Sequence, residues 1–198
     1  MKKVSILVFL AMFSLTAAAQ SFEMGTIVIS TGYGFPNLGK SVLNTYNTEQ
    51  SFKVSGLGPL HAKFEYGISD VIGIGLSINH VNFSGEWQDE VTNSNGSTST
   101  YNYKFARQST AANLRLNFHF SKTEKLDVYW GFGFGYKQAS NKWTTNEPNF
   151  NDLTLGNLFP LGFETTLGVR AYLTENIGLY TEVGAAKSII QFGLCYKL

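Results

Sequence analysis

The stretch LHAKFEYGI, residues 60–68, decides the fold because it alternates strictly between two kinds of side chain. One set of alternate positions is apolar: Leu60, Ala62, Phe64, Tyr66 and Ile68. The other set is polar, charged or glycine: His61, Lys63, Glu65 and Gly67. Side chains two residues apart share one face of a β-strand, so the stretch predicts a strand that separates two different environments.

The same division recurs near the C-terminus. There the apolar positions are Leu161, Phe163, Leu167 and Val169, and they alternate with Glu164, Thr166, Gly168 and Arg170. Charge is again confined to one side of a strand whose other side is apolar. This pattern is typical of the strands of membrane-spanning β-barrels.

The first residues predict a cleaved signal peptide, residues 1–19. Lys2 and Lys3 precede an apolar run over residues 4–15, and three alanines end at Ala19. The run is shorter than the roughly 20 residues that a transmembrane helix needs, which favours cleavage over a retained anchor. We expect residues 20–198 to form one barrel domain.

Composition supports a membrane protein without metal or cofactor. Charged residues make up 15% of the chain, compared with about 25% in ordinary soluble domains. The near-neutral charge balance gives no reason to expect nucleic acid as a partner. Cys195 is the single cysteine, so no internal disulfide can form, and no His/Cys cluster has the spacing of metal ligands.

Eight segments show alternation with a period of two. They are residues 25–35, 57–68, 72–83, 105–120, 126–138, 160–173, 177–186 and 189–198. Most are close to the roughly 9 to 11 residues that a tilted strand needs to cross the hydrocarbon. The sequence therefore predicts an all-β fold of eight antiparallel strands.

The connections alternate in length. Those after strands two, four and six are short and turn-like, whereas those after strands one, three and five are long and polar. The last one, around Lys187, is short. This rhythm predicts an up-and-down transmembrane barrel with short periplasmic turns, long external loops and both termini on the periplasmic side.

The residues that would face each other on neighbouring strands match in polarity, with one exception. If residues 174–176 form a turn, Leu173 faces Ile177 and Arg170 faces Tyr180, which pairs apolar with apolar and polar with polar. The exception follows Ile78, where polar residues occupy outward positions: His80 and Asn82. Either a bulge lies there or the strand has already left the membrane.

The last strand resembles the terminal strand of small eight-stranded outer-membrane barrels of the OmpA/OmpX type. Their assembly signal has a polar residue, a glycine two positions later, and apolar residues three and five positions after the glycine. The matching residues here are Gln191, Gly193, Tyr196 and Leu198, although the family usually ends in Phe. The resemblance implies a bacterial outer-membrane protein, surrounded by lipid and lipopolysaccharide and inserted by the barrel-assembly machinery. We expect a monomer.

Charged residues fall on the face that would line the lumen: Lys63, Glu65, Arg107, Arg115, Asp127, Lys137, Glu164, Arg170 and Glu182. Eight strands leave an interior just wide enough for side chains to fill it. Unpaired ions away from water are costly, so we expect these charges to pair, with Arg170 close to Glu182 on the neighbouring strand. The prediction is a plugged lumen, and a narrow pore is the alternative.

An enzymatic role is the main functional alternative, because some eight-stranded outer-membrane barrels modify lipid A. His80, followed by Ser84 and Glu86, supplies an imidazole, a hydroxyl and a carboxylate near the external rim. His119 and Ser121 lie at the periplasmic end, away from outer-leaflet lipid. We expect no catalytic residues and a non-enzymatic protein.

The long loops combine small polar residues with aromatic ones: Tyr46, Phe52, Trp87, Tyr101, Tyr103, Trp143 and Phe150. This composition suits a binding surface, and it also suits loops that pack on one another. We therefore predict a structural or a surface-binding, adhesive role through the external loops. A soluble periplasmic barrel with its faces reversed is the remaining alternative.

Overall fold

The fold is a closed antiparallel barrel with one short helix. The computed structural model describes residues 21–45, 52–92, 94, 96–148, 150–157 and 159–198, so the predicted signal peptide and Tyr46 lie outside the described residues. The elements in chain order are β1 (Ile27–Phe35), α1 (Leu38–Thr45), β2 (Lys53–Gly67), β3 (Ile72–Thr92), β4 (Thr98–Lys122), β5 (Leu126–Thr145), β6 (Leu153–Leu155), β7 (Leu161–Tyr172), β8 (Ile177–Ala185) and β9 (Ile190–Lys197). None of the described helical structure is both long and apolar enough to cross a bilayer.

Eight of the strands close on themselves. The order around the barrel is β4-β3-β2-β1-β9-β8-β7-β5, and pairing of β4 with β5 completes the circle. The three-residue strand β6 pairs only with the far part of β5, from Asn141 to Trp143. The predicted up-and-down barrel of eight antiparallel strands is confirmed.

The two ends of the barrel differ. At one end, here called the turn end, short connections join β2 to β3, β4 to β5 and β7 to β8. At the other, the loop end, lie α1, β6 and the hairpin between β3 and β4. Arg170 pairs with Tyr180 across β7 and β8, so the register predicted from the turn at residues 174–176 is correct.

The two faces of each strand have opposite environments. Inward side chains are buried, including polar ones such as His61, Lys63 and Glu65 on β2. The buried apolar residues Val28, Tyr172, Tyr180 and Cys195 pack together along one wall of the interior. Outward positions carry exposed apolar side chains around the barrel, among them Phe64, Leu76, Leu114, Phe134, Phe163 and Leu194.

A β-bulge interrupts this pattern in β2. Its register against β3 shifts between Leu57 and Leu60, so the outward positions change from even to odd residue numbers. Gly58 has a φ of 83°, and a side chain there would meet the carbonyl oxygen of His80 at 2.8 Å, so the bulge requires glycine. β3 itself keeps an unbroken register against β4 through His80 and Asn82, so both residues stay on the outward face and the bulge lies in the strand opposite them.

Beyond the bulge, strands continue where the sequence predicted loops. The third predicted strand ended at residue 83 and the fourth began at 105, but β3 runs to Thr92 and β4 begins at Thr98. β5 likewise continues to Thr145. We call the parts of β2, β3, β4 and β5 beyond the bulge the extended sheet. The outward face of the barrel becomes polar at the level of the bulge, at His80, Thr110 and Gln138, which pair side by side.

Helix α1 packs against the inner side of the extended sheet. Asn37 caps it, because the Asn37 side-chain oxygen accepts a hydrogen bond of 3.1 Å from the backbone N–H of Lys40. The Asn37 amide also donates to the carbonyl oxygen of Asn82 at 3.1 Å, which fixes the start of the helix to β3. A side chain at Gly39 would overlap the ring of Phe83, so glycine permits this close approach.

Candidate functional site

Near the turn end, two carboxylates, a guanidinium group and an imidazole ring form a buried cluster inside the barrel. Arg170 donates to Asp127 at 3.0 Å and also forms an ion pair with Glu65. The His119 ring lies between the same two carboxylates, at 2.7 Å from Asp127 and 2.8 Å from Glu65. These contacts join β2, β4, β5 and β7 across the lumen.

His119 is the member of this cluster that the sequence analysis missed. Both of its ring nitrogens face carboxylate oxygens, and only the doubly protonated imidazolium can donate to both. His119 follows Arg115 and Asn117 at steps of two residues on β4, so all three share the inward face. This spacing would have been enough to predict that His119 enters the lumen. Its role is therefore in the lumen.

The N-terminal segment closes the turn end. The ring of Phe22 is fully buried and stacks on His119, with ring centroids 3.5 Å apart. Ser21 is held by its backbone N–H, which donates to Thr123 at 2.9 Å, and by its hydroxyl, which donates to the carbonyl oxygen of Leu126 at 2.8 Å. These residues precede β1, and no strand alternation pointed to them.

A second cluster lies at mid-height. The Arg115 guanidinium contacts Glu164 at 3.1 Å and Glu182 at 2.7 Å, and Lys63 contacts Glu182 at 2.7 Å. All of these side chains are nearly inaccessible to solvent. Two cations thus face two anions, which leaves the cluster electrically balanced.

Neutral groups satisfy the remaining carboxylate oxygens of this second cluster. The hydroxyl groups of Tyr129 and Thr166 donate to Glu182 at 2.7 and 2.8 Å. Ser77 donates to Glu164 at 2.6 Å, and the Asn79 amide donates to the same carboxylate at 3.1 Å. The Arg170 guanidinium lies 4.2 Å from the centre of the Tyr129 ring, so Tyr129 links the two clusters.

Arg170 and Glu182 are diagonal neighbours across β7 and β8, as the register predicted, but their ion pairs are with other residues. Arg170 lies directly opposite Asp127 in the register of β5 and β7, and its other partner, Glu65, reaches it across the lumen. Glu182 instead contacts Lys63 and Arg115. In a narrow closed barrel, partners across the lumen are as close as diagonal neighbours on the sheet.

Toward the loop end, the polar layer continues without charge. His61 is buried, and its ring nitrogens lie 2.5 Å from the side-chain oxygen of Asn79 and 3.3 Å from the hydroxyl of Ser188. Ser188 belongs to the short connection between β8 and β9. The expectation that His61 is a hydrogen-bonding residue of the lumen agrees with this geometry.

Arg107 and Lys137, the two other charged residues predicted for the lumen, lie above this layer. With Lys187 they line a space of about 430 Å³ at the loop end, which we call the vestibule. Burial, together with the neighbouring charges of Lys137 and Arg107, lowers the pKa of Lys187 to about 8. Seven of the nine predicted lumen charges therefore take part in ion pairs among the described residues, and these two do not.

The inner face of the extended sheet carries a cluster of aromatic rings. Trp87 lies at its centre, with ring centroids 5.8 Å from Phe52, 5.8 Å from Tyr103 and 6.1 Å from Trp143. The cluster continues to Phe105, Phe83 and Phe150. Trp143 and Phe150 are 36% and 44% exposed. We call these seven residues the aromatic cluster.

Polar groups border the aromatic cluster. The Tyr103 hydroxyl donates to Glu147 at 2.7 Å, which raises the pKa of Tyr103 to about 12. The Gln88 amide donates to Asn102 at 2.9 Å. The loops predicted to be rich in aromatic residues are thus largely strand, and the strand pairing places their rings on one surface.

The three candidate catalytic residues do not meet. His80 lies 2.8 Å from the Thr110 hydroxyl, the Ser84 hydroxyl lies 2.9 Å from that of Ser55, and Glu86 forms an ion pair of 2.7 Å with Lys104. Each group thus has a partner outside the proposed set. In the described part of the chain, no three His, Cys, Asp or Glu side chains are placed to hold a metal ion.

The residues of the predicted assembly signal divide between the two faces of β9. Gln191 is buried, and its side-chain oxygen accepts a hydrogen bond of 2.7 Å from Lys63. Tyr196 and Leu198 are exposed on the outward side, at 45% and 63%. At Gly193, any side chain would collide with the backbone of Thr31 on β1, where the barrel closes.

The chain matches the family of the outer membrane protein beta-barrel domain over residues 5–192. It belongs to this family. The protein is therefore a β-barrel of the bacterial outer membrane, with its turn end toward the periplasm and its loop end outside. The exposed apolar belt on its outward face is the surface that contacts lipid.

Two solved structures with a similar fold illustrate the family resemblance of the barrel. The N-terminal β-barrel domain of Pseudomonas aeruginosa OprF is 16% identical, with 89% of this chain and 99% of that chain covered and a TM-score of 0.41. Ail, the attachment invasion locus protein of Yersinia pestis, in complex with the heparin analogue sucrose octasulfate, is 13% identical, with coverage of 88% and 99% and a TM-score of 0.44. A comparison with curated proteins finds no match.

Proposed function

We propose that this outer-membrane barrel is a non-conducting, non-enzymatic scaffold that presents a binding surface outside the cell. The observation that carries the proposal is the aromatic cluster on the extended sheet, because it lies beyond the lipid belt and remains partly exposed. Tryptophan and tyrosine are the residues that most often dominate binding energy at interfaces. A purely structural barrel does not need them there.

The scaffold part of the proposal rests on the lumen. The two charged clusters, the layer around His61 and the buried ring of Phe22 follow one another along the barrel axis. We expect ions to find no continuous water-filled path through them.

Planar-bilayer conductance tests the closed lumen. The purified protein should give no stable channels, and an Arg115→Ala/Glu182→Ala double variant should give more frequent openings because it removes two of the side chains that fill the mid-height cluster. Large, stable channels from the wild-type protein would contradict the scaffold proposal and favour the alternative of a narrow pore.

Cell adhesion tests the binding surface. Cells of a non-adherent strain that display the wild-type barrel should bind immobilised extracts of bacterial or host surfaces, and Trp87→Ala and Trp143→Ala variants should lose most of this binding. Lys142→Gln is the matched control, because Lys142 is exposed on the opposite face of β5 beside Trp143. Equal adhesion of all variants would reject the aromatic cluster as the binding surface.

The absence of catalysis can be tested directly. His80, Ser84 and Glu86 have separate partners, so we expect lipopolysaccharide incubated with the purified protein to keep its acyl chains. Mass spectrometry of the lipid is the measurement. Loss of an acyl chain with the wild-type protein but not with His80→Ala would establish the lipid A-modifying alternative.

A further inference from the structure

The vestibule has a charge composition unlike the rest of the lumen. It is lined by Arg107 on β4, Lys137 on β5 and Lys187 on the connection between β8 and β9. Deeper in the barrel, the three cations Lys63, Arg115 and Arg170 each contact a carboxylate. Within the described ranges, none of the three vestibule cations has an ion-pair partner.

The polar partners of the vestibule cations are neutral. Arg107 donates to the side-chain oxygen of Asn141 at 2.7 Å, and Lys187 donates to the Ser109 hydroxyl at 2.6 Å. These bonds hold the side chains in place without neutralising them. Burial is the main cause that lowers the pKa of Lys187 to about 8, and repulsion by Lys137 and Arg107 lowers it further. Three like charges around one enclosed space favour the entry of an anion.

Two further features line the same space. The first residues of α1, Leu38 and Gly39, form part of its wall, so the positive end of the helix dipole faces it. On its inner side lies Asn113, which is 2% exposed and whose side-chain oxygen has no hydrogen-bond partner among the described groups. A buried acceptor of this kind suits a ligand that carries a hydroxyl as well as negative charge.

We propose that the vestibule is a binding site for the phosphate group of a small soluble molecule. Arg107, Lys137 and Lys187 bind the phosphate oxygens, and the hydroxyl of a hydrogen phosphate or of an attached sugar donates to Asn113. The volume of about 430 Å³ accepts a phosphate with a small organic group attached. This proposal does not depend on any partner of the aromatic cluster.

The position of the site selects a ligand from solution. The vestibule lies inside the ring of strands, and the barrel wall separates it from the lipid headgroups around it. A soluble phosphate reaches it from the loop end. A lipid phosphate would have to leave its bilayer to do so.

Calorimetric titration with inorganic phosphate tests the site, using the purified full chain in a nonionic detergent free of lipopolysaccharide. The wild-type protein should bind phosphate, and Lys137→Gln and Lys187→Gln should each weaken binding about tenfold or more, as expected for loss of a charged hydrogen bond. Lys142→Gln, on the outward face of β5, should bind like the wild-type protein. Circular dichroism confirms that each variant is folded.

Two results would overturn the proposal. One is no binding of phosphate by the wild-type protein. The other is an equal loss of phosphate affinity in Lys142→Gln and Lys187→Gln, which would mean that phosphate is attracted by the general surface charge and not by the vestibule. A third measurement adds lipopolysaccharide to the micelles as a competitor. Phosphate binding that persists supports a ligand from solution, whereas displacement that depends on Lys187 would replace it with a lipid phosphate.

Discussion

Arg115 is the residue on which the mid-height cluster depends most, because it contacts Glu164 and Glu182 together. Replacing it by alanine leaves two buried carboxylates with less positive charge around them. We expect Arg115→Ala to lower the free energy of unfolding by about 3 to 5 kcal/mol, measured by urea titration of the barrel in phospholipid vesicles with tryptophan fluorescence.

The partner of Arg115 provides the control for this prediction. An Arg115→Ala/Glu182→Gln double variant should lose less than the sum of the two single losses, because each change removes the charge that the other leaves unpaired. The exposed Lys142→Ala should change stability by about 0.5 kcal/mol or less. Additive losses would mean that packing, and not charge pairing, explains the effect.

Lys187 gives the protein a pH dependence in the alkaline range. Its folded-state pKa is about 8, so it carries its charge below that pH and loses it above. Arg107 and Lys137 face it, and Ser109 accepts its hydrogen bond. We expect the affinity for inorganic phosphate to fall as the pH rises through 8, although phosphate itself loses no charge in that direction.

The same titration on Lys187→Gln checks the assignment. This variant binds more weakly but should show no decline across the same pH range. If its affinity falls in parallel with that of the wild-type protein, another group is responsible for the pH dependence.

The sequence predicts which residues enter the lumen but not which of them meet. Alternation along one strand separates inward from outward side chains, and Lys63, Glu65 and Arg115 are buried on the inward face. The contact of Arg170 with Glu65 spans the barrel between β7 and β2, and it depends on barrel closure and side-chain length. No pattern within a single strand contains that information.

Among the elements, β4 best shows how one strand passes through two environments. Its outward residues are apolar at Leu114 and Leu116 and polar at Gln108 and Lys104. A charge on the lipid-facing part of a barrel strand costs about 2 to 4 kcal/mol at the middle of the membrane and almost nothing near its edge. The position along β4 should therefore decide the effect of a lysine.

We expect Leu114→Lys to lower the free energy of unfolding by about 2 to 4 kcal/mol and Gln108→Lys to leave it nearly unchanged. Urea titration in vesicles measures both. Leu114 is 73% exposed in the isolated chain, so no loss of internal packing complicates the result. Equal effects at the two positions would mean that the edge of the lipid belt lies elsewhere on β4.

The extended sheet was only partly predictable. The hydropathy alternation stops near residue 83, because polar residues replace apolar ones on the outward face. A second alternation continues, however, with aromatic residues at odd positions: Phe83, Trp87, Tyr103 and Phe105. It indicates strands whose inner face is the apolar one, which is the reverse of the pattern in the membrane.

At the scale of the whole molecule, closure of the barrel joins the first strand to the last. β1 and β9 pair from Val28 with Lys197 to Phe35 with Ile190, so the C-terminal residues complete the ring. Tyr196 and Leu198 remain exposed on its outer side. They are therefore available to the assembly machinery that the resemblance of the last strand implies.

We expect Leu198→Ser to reduce the amount of folded barrel in the outer membrane of expressing cells, measured by heat-modifiable migration in gels. Leu173→Ser is the matched control, because Leu173 lies at the same end of the barrel and is 65% exposed, compared with 63% for Leu198. Equal yields of the two variants would contradict a role of Leu198 in assembly.

The bulge in β2 also determines how this chain tolerates insertions and deletions. In a regular strand, the loss of one residue exchanges the two faces of everything beyond it, which places charges in lipid. In β2 the extra residue at the bulge already produces this exchange of faces. Leu57 and Leu60 therefore both face outward although they are three positions apart. Deleting Gly58 would leave one residue between these two leucines, as in the partner strand, so the bulge would disappear while residues 52–57 kept their present faces and Phe52 stayed in the aromatic cluster.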